Sequence, residues 1–170
     1  MSIFDRVLIY DVETTISSRG SPFDNTNKLV MSGFKWCKDA YPFDCVTRNH
    51  LENTQCYFNA STLIVGFNIK FDLNWARRIG VDISNVCVWD CQLAEFLFNR
   101  QANRYPSLDE ACEKYGIPLK LDVVKTEYWE KGIDTDEIPV DILREYLEGD
   151  LDRTERVFKE QVFQFKGIRL

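Results

Sequence analysis

The chain opens with an apolar run that ends in acid. Val7-Leu-Ile-Tyr-Asp-Val-Glu13 carries four apolar residues in succession and then Asp11 and Glu13. A run without alternation predicts a strand buried on both faces of a sheet covered by helices. Side chains two apart on a strand share a face, so the two carboxylates stand side by side with backbones roughly 7 Å apart. Two such charges at 4 Å and an effective dielectric near 20 repel by about 4 kcal/mol. One acid is therefore protonated or paired, both hold a cation, or both turn to solvent at a loop.

Downstream, Thr14 to Asn27 is polar and reads as a loop. Lys28 to Trp36 and Tyr41 to Thr47 predict two strands joined at Lys38-Asp39, an antiparallel meander. A helix follows over about Leu51 to Asn59, and Ser61 to Phe67 is a short apolar strand running straight into Asn68-Ile-Lys-Phe-Asp72. From Phe71 to Ile79 the period turns helical, with Gly80 placed to end the helix. Asn85 to Trp89 is a last short strand, and Asp90 caps a helix over Cys91 to Asn99. Ser107 and Glu110 form a capping box for a helix reaching Tyr115-Gly116. Ile117 to Ile138 shows no period and is long for a plain connection. From Pro139, which suits a first helical position, a long helix runs to about Lys166 with Ile142, Leu143, Tyr146, Leu147, Leu151, Val157 and Phe158 recurring at threes and fours. The sum is an α/β fold: a mixed sheet of about five strands, antiparallel early and parallel later, with helices on both faces.

Composition narrows the classes. At 170 residues and 45% apolar, the expected organisation is a single domain over 1–170 with a full core. With 27 acids against 21 bases the net charge is −6, which argues against gripping nucleic acid by bulk electrostatics. Two divalent ions would add four charges and bring −6 to −2. No apolar run reaches the length of a membrane span, and the N-terminal residues lack a signal peptide's basic and apolar regions, so a cytoplasmic protein is expected. The six cysteines (Cys37, Cys45, Cys56, Cys87, Cys91, Cys112) follow no zinc spacing and read as free thiols. His50 is the one histidine and precedes a helix, where a surface or capping role fits better than catalysis.

Two further acids are placed as if for the first pair. Asp72 lies on the first turn of a helix entered from the carboxyl end of a strand, the edge where ligands gather in open α/β sheets. Asp150 lies four residues after Tyr146 on an otherwise apolar helix face. Singly each is an ordinary helix acid. Jointly they give D-x-E on a strand end, N-x-x-x-D at a strand-to-helix junction and Y-x-x-x-D on a late helix.

Asp11-Val-Glu13, Gly66-Phe-Asn-Ile-Lys-Phe-Asp72 and Tyr146-Leu-Glu-Gly-Asp150 resemble the three motifs of the DEDDy 3′–5′ exonucleases, nearest to the proofreading domain of family A, phage-type DNA polymerases. Trp89-Asp-Cys-Gln-Leu-Ala94, Tyr105-Pro-Ser-Leu-Asp109 and Gly132-Ile-Asp-Thr-Asp-Glu-Ile-Pro139 extend the resemblance over nearly the whole chain. It implies an RNase H-like fold. It implies that Asp11, Glu13 and Asp150 hold one Mg²⁺, that Asp11 bridges to a second which Asp72 reaches, often through water, and that Tyr146 orients the attacking water. Mn²⁺ is expected to substitute. Carboxylates without His or Cys suit such hard ions. The implied partners are single-stranded DNA 3′ ends and a polymerase module in cis or in trans, in the host cytoplasm if the protein is viral; no stretch resembles a thumb or palm. Candidate substrate contacts are Thr14 and Thr15, whose backbone lies after the first motif, Asn68, which also reads as a turn residue, and Phe71. Phe71 and Trp75 could both stack on a base, although core spacing on the helix fits both better. The 117–138 segment, with Lys125 and Trp129, is a candidate wall of the strand channel. The rivals are an RNA-trimming exoribonuclease and a non-catalytic nucleic-acid-binding module of the same fold.

Overall fold

In the computed structural model, residues 6–37, 42–102, 104–119 and 123–167 are described. The apolar run forms β1 (Val7–Thr14), the middle of a five-stranded sheet ordered β3-β2-β1-β4-β5. Here β2 is Leu29–Trp36, β3 is Asp44–Val46, β4 is Leu63–Gly66 and β5 is Val88–Asp90. β2 and β3 run antiparallel to their neighbours, whereas β4 and β5 are parallel, so the sheet is mixed in the order the sequence predicts. The expected Lys38-Asp39 turn, and Tyr41 at the start of the third strand, lie outside the described residues.

Both faces of the sheet are covered, which is why β1 shows no alternation. Val7 and Ile9 belong to one core cluster with Leu143, Leu147, Leu151, Val157 and Phe158 of the long helix. Leu8, Tyr10 and Val12 belong to the other, with Phe58 and Trp75 from helices on the far face. Those helices are α1 (His50–Ala60) and α2 (Lys70–Arg78). On the first face lie α3 (Cys91–Phe98), α4 (Leu108–Tyr115), α5 (Val123–Glu127) and α6 (Val140–Gly167). The parity of β1 therefore sends Asp11 and Glu13, which follow Val7 and Ile9, toward α6.

Local chemistry sets the ends. Asp90 caps α3, its carboxylate accepting from the Gln92 and Leu93 N–H groups at 2.9 and 3.3 Å. The Ser107–Glu110 box opens α4 in both directions, at 2.7 and 3.2 Å. At the end of α2, Gly80 adopts φ +96°, and the N–H groups of Gly80 and Val81 bond back to Arg77 and Ala76, a left-handed stop that favours glycine. Pro139 sits one residue before α6, and its carbonyl accepts from Leu143 N–H at 3.0 Å.

Two expectations need correction. The last strand is Val88–Asp90 rather than Asn85–Trp89, because its register follows the backbone of β4. His50 is neither a surface nor a capping residue: it is half-buried in the first turn of α1 and shares a 3.0 Å hydrogen bond between Nδ1 and Ser32 Oγ. The aperiodic 117–138 stretch holds α5 and two single-turn 3₁₀ helices, Trp129–Lys131 and Thr135–Glu137. The six cysteines are free thiols, as expected. No described helix is long and apolar enough to cross a membrane.

Candidate metal centre

The centre is assembled at the carboxyl end of β1. Asp11, Glu13 and Asp150 each offer a carboxylate oxygen, and these atoms all lie within 4.8 Å of one another. Helix α6 delivers Asp150 because it packs unusually close to the sheet. Gly33 on β2 is paired with Asp11, and a Cβ built there would stand 2.8 Å from the Leu147 and Leu151 side chains. Leu143, Leu147 and Leu151 form the stripe pressed on the sheet. Tyr146, Asp150 and Thr154, each three residues on from a member of that stripe, follow one step around the helix. A register shift between Glu13 and Thr14 interrupts the β1–β2 ladder beside the acids, as bulges often do where a side chain must be re-aimed.

Asp72 reaches the centre from the opposite face. It is 3% exposed, and Oδ1 accepts from Val12 N–H at 3.2 Å. Burial first, then the charge of Asp11 and a hydrogen bond with it, hold the Asp72 carboxyl well above the usual carboxylate range. Asp72 stands behind the three clustered acids rather than among them.

Two cavities flank the acids. One, of about 270 Å³, is lined by Asp11, Phe67, Asp109, Tyr146, Asp150 and Arg153 among others. The second, of about 190 Å³, is lined by Glu13, Thr14, Thr15, Arg19, Phe71 and Trp129. The rings of Trp129 and Tyr146 meet edge-on at 5.8 Å, so the 117–138 segment contributes a wall next to the acids. Trp129 is fixed by its Nε1–H bond to Thr135 Oγ1 at 3.1 Å. That segment is tied to the β1–β2 loop by Ile16 N–H to Asp134 Oδ1 at 3.0 Å and by Lys28 to Asp136 at 2.7 Å.

The remaining candidates separate. Thr14 and Phe71 line the second cavity. Thr15 also lines it, yet its hydroxyl is engaged with Asn27 Oδ1 and Lys28 N–H at 3.1 and 2.8 Å, which holds the loop. Trp75 is core, 1% exposed, with Nε1–H on the Gly20 carbonyl at 2.9 Å. Asn68 is an exposed turn residue at φ +59° and lines neither cavity; its N–H bonds Asp90. Lys125 is exposed on α5 and also lines neither. Sequence reasoning missed Arg19 and Arg153. Arg19 sits in an apparent loop and is brought over the cavity by left-handed backbone at Ser18, Arg19 and Gly20. Arg153 lies three residues after Asp150, a spacing that places it on the same helix face.

Neither a protein-family model nor a curated protein matches the chain. Solved structures do. The family B DNA polymerase of the archaeon Pyrobaculum calidifontis superposes with a TM-score of 0.63 at 19% identity over 94% of this chain and 25% of its own. Brucella melitensis NrnC superposes with a TM-score of 0.64 at 12% identity over 96% of this chain and 76% of its own. The chain thus spans a quarter of the polymerase it matches. These likenesses, with the mixed five-stranded sheet and helices on both faces, make the fold an α/β RNase H-like fold.

Proposed function

We propose that the protein is a divalent-metal-dependent 3′–5′ exonuclease of the DEDDy kind that shortens single-stranded or frayed DNA ends to nucleoside monophosphates. The observation that carries this reading is the convergence of Asp11, Glu13 and Asp150 within 4.8 Å, with Tyr146 one turn before Asp150 in the same cavity. Three carboxylates in partial burial repel one another unless a cation joins them. An all-oxygen set fits Mg²⁺, with Mn²⁺ as a substitute. Asp11, Glu13 and Asp150 would hold one ion, and Asp11 with Asp72 a second. Bound in pairs, such ions supply charge neutralisation at both the attacking and leaving oxygens of an in-line displacement.

The chain's own residues supply the rest. The Tyr146 hydroxyl orients the attacking water from the Asp150 side. Burial beside the Asp11 charge favours the neutral form of Asp72, so its carboxyl would lose a proton on taking part as a ligand. The second cavity, lined by Phe71, Trp129 and Thr14, receives the terminal base, its rings offering stacking surfaces that tolerate any base. The likeness to part of a polymerase and the motif resemblance to family A proofreading domains support a single 1–170 exonuclease module working with a polymerase in cis or in trans.

A 5′-labelled DNA oligonucleotide incubated with Mg²⁺ tests the reading, with the same sequence as RNA alongside. The expected result is a ladder shrinking one nucleotide at a time on DNA, abolished by Asp11→Ala or Asp150→Ala in folded protein. Faster trimming of the RNA would reassign the substrate. Nicking of circular single strands would sink the exonuclease reading.

A further inference from the structure

Asp150 is held by a cation from its own helix. Arg153, one turn on, directs Nη2 at Asp150 Oδ1 and Nη1 at Asp109 Oδ1, the latter at 2.5 Å. The arginine is only 8% exposed, and its Nε is buried with no hydrogen-bond partner. It lines the 270 Å³ cavity together with Asp11, Tyr146 and Asp150. Asp109, by contrast, has a side chain 61% exposed, so the guanidinium runs from the acid cluster outward to the rim.

Three roles compete for this group. As an anchor for a substrate phosphate it is poorly placed, because two carboxylates already take its forked donors and leave the trio with a net charge of about −1. As a simple counter-ion it would need charge alone, which any cation in that place supplies. The geometry favours a third role. The guanidinium is planar and rigid and its two Nη groups are spent on two different carboxylates, so the Asp109 contact fixes the direction from which Nη2 holds the Asp150 oxygen. Partners of this kind, hydrogen-bonded to a ligating carboxylate, orient it for the ion.

We propose that Arg153 is a positioning residue that sets the Asp150 carboxylate for the divalent ion, with Asp109 as its outer anchor. This rests on reading the acid cluster as a metal centre. Replacement by lysine isolates the role, because the charge stays while the fork is lost. Replacement by a neutral side chain would not, since removing a positive charge beside the centre attracts the ion more strongly and masks lost orientation.

Titration calorimetry of the whole chain with Mn²⁺, without nucleic acid, measures the effect at a temperature where circular dichroism shows each variant folded. Arg153→Lys should weaken Mn²⁺ binding about ten- to a hundred-fold. Asp109→Asn, at an exposed position, should weaken it several-fold. Equal or tighter binding in Arg153→Lys overturns the positioning role while leaving the metal centre intact. Should Arg153→Lys not fold, unchanged affinity in Asp109→Asn overturns it instead. A wild-type chain that binds no Mn²⁺ overturns both readings together.

Discussion

Asp72 is buried against a second carboxylate, and that surrounding decides its proton. Its folded-state pKa lies above the ordinary carboxylate value of 3.8, so between those two values the folded chain binds more protons than the unfolded one. The stability tied to that proton is fully present below pH 3.8 and is lost as pH rises through the folded value. Each unit of such a shift is worth about 1.4 kcal/mol. Asp72→Asn keeps an oxygen for Val12 N–H and never ionises, so in a chelator the variant should melt higher than wild type at pH 7 and at the same temperature near pH 3. Thermal melts across that range check this; a variant that melts lower at pH 7 would mean that Asp72 is not strained there. At this scale the acids were legible in the sequence because D-x-E on a strand fixes a shared face, and Y-x-x-x-D fixes a shared helix stripe. The raised carboxyl of Asp72 and the fork of Arg153 were not, since both depend on which groups the fold brings within reach from other elements.

Helices and strands with a clear period were legible to within a few residues at their ends, and so were the caps at Asp90, Ser107 and Gly80, where the terminating chemistry is local. The 117–138 segment was not. Its helices are five and three residues long, too short to show a period, and long-range bonds such as Ile16 to Asp134 and Lys28 to Asp136 secure it. Nor did the sequence announce why α6 comes so near the sheet. Gly33 answers that, since the stripe of Leu147 and Leu151 fills the space a side chain would take. In Gly33→Ala the new methyl meets two fully buried leucines, and overpacking of this kind costs about 1–3 kcal/mol. The helix that carries Asp150 must shift outward to relieve it. Gly33→Ala should therefore lower the melting temperature by several degrees and also weaken Mn²⁺ binding, although no ligand has changed. Calorimetry of the same sample reads both, and a destabilised variant with wild-type affinity would separate α6 packing from the metal centre.

At the scale of the whole molecule, charge and cavity shape act together on the substrate. The chain carries −6, so its surface contributes little general attraction to a phosphate backbone; on the proposed exonuclease reading, binding would come from ions held by the acids and from the cavity beside Glu13. That cavity, about 190 Å³ between Phe71, Trp129 and the left-handed turn at Arg19, has room for a single base and not for a stacked pair. A paired end must open before it can enter, and each terminal step costs about 1–2 kcal/mol to unstack. With weak surface binding there is little to offset that cost, so the preference for open ends should be sharp. A fully paired 3′ end should be shortened several- to tens-fold more slowly than the same duplex with two mismatched terminal nucleotides, and the mismatched end should approach the single strand in rate. A 3′-phosphate should block all three, because on the proposed reading the added charge and bulk must enter the cavity lined by Glu13 and Thr14. Single-turnover time courses on the three labelled substrates decide the matter: equal rates on paired and mismatched ends would show that the chain opens duplex DNA by itself and that the cavity does not select the end.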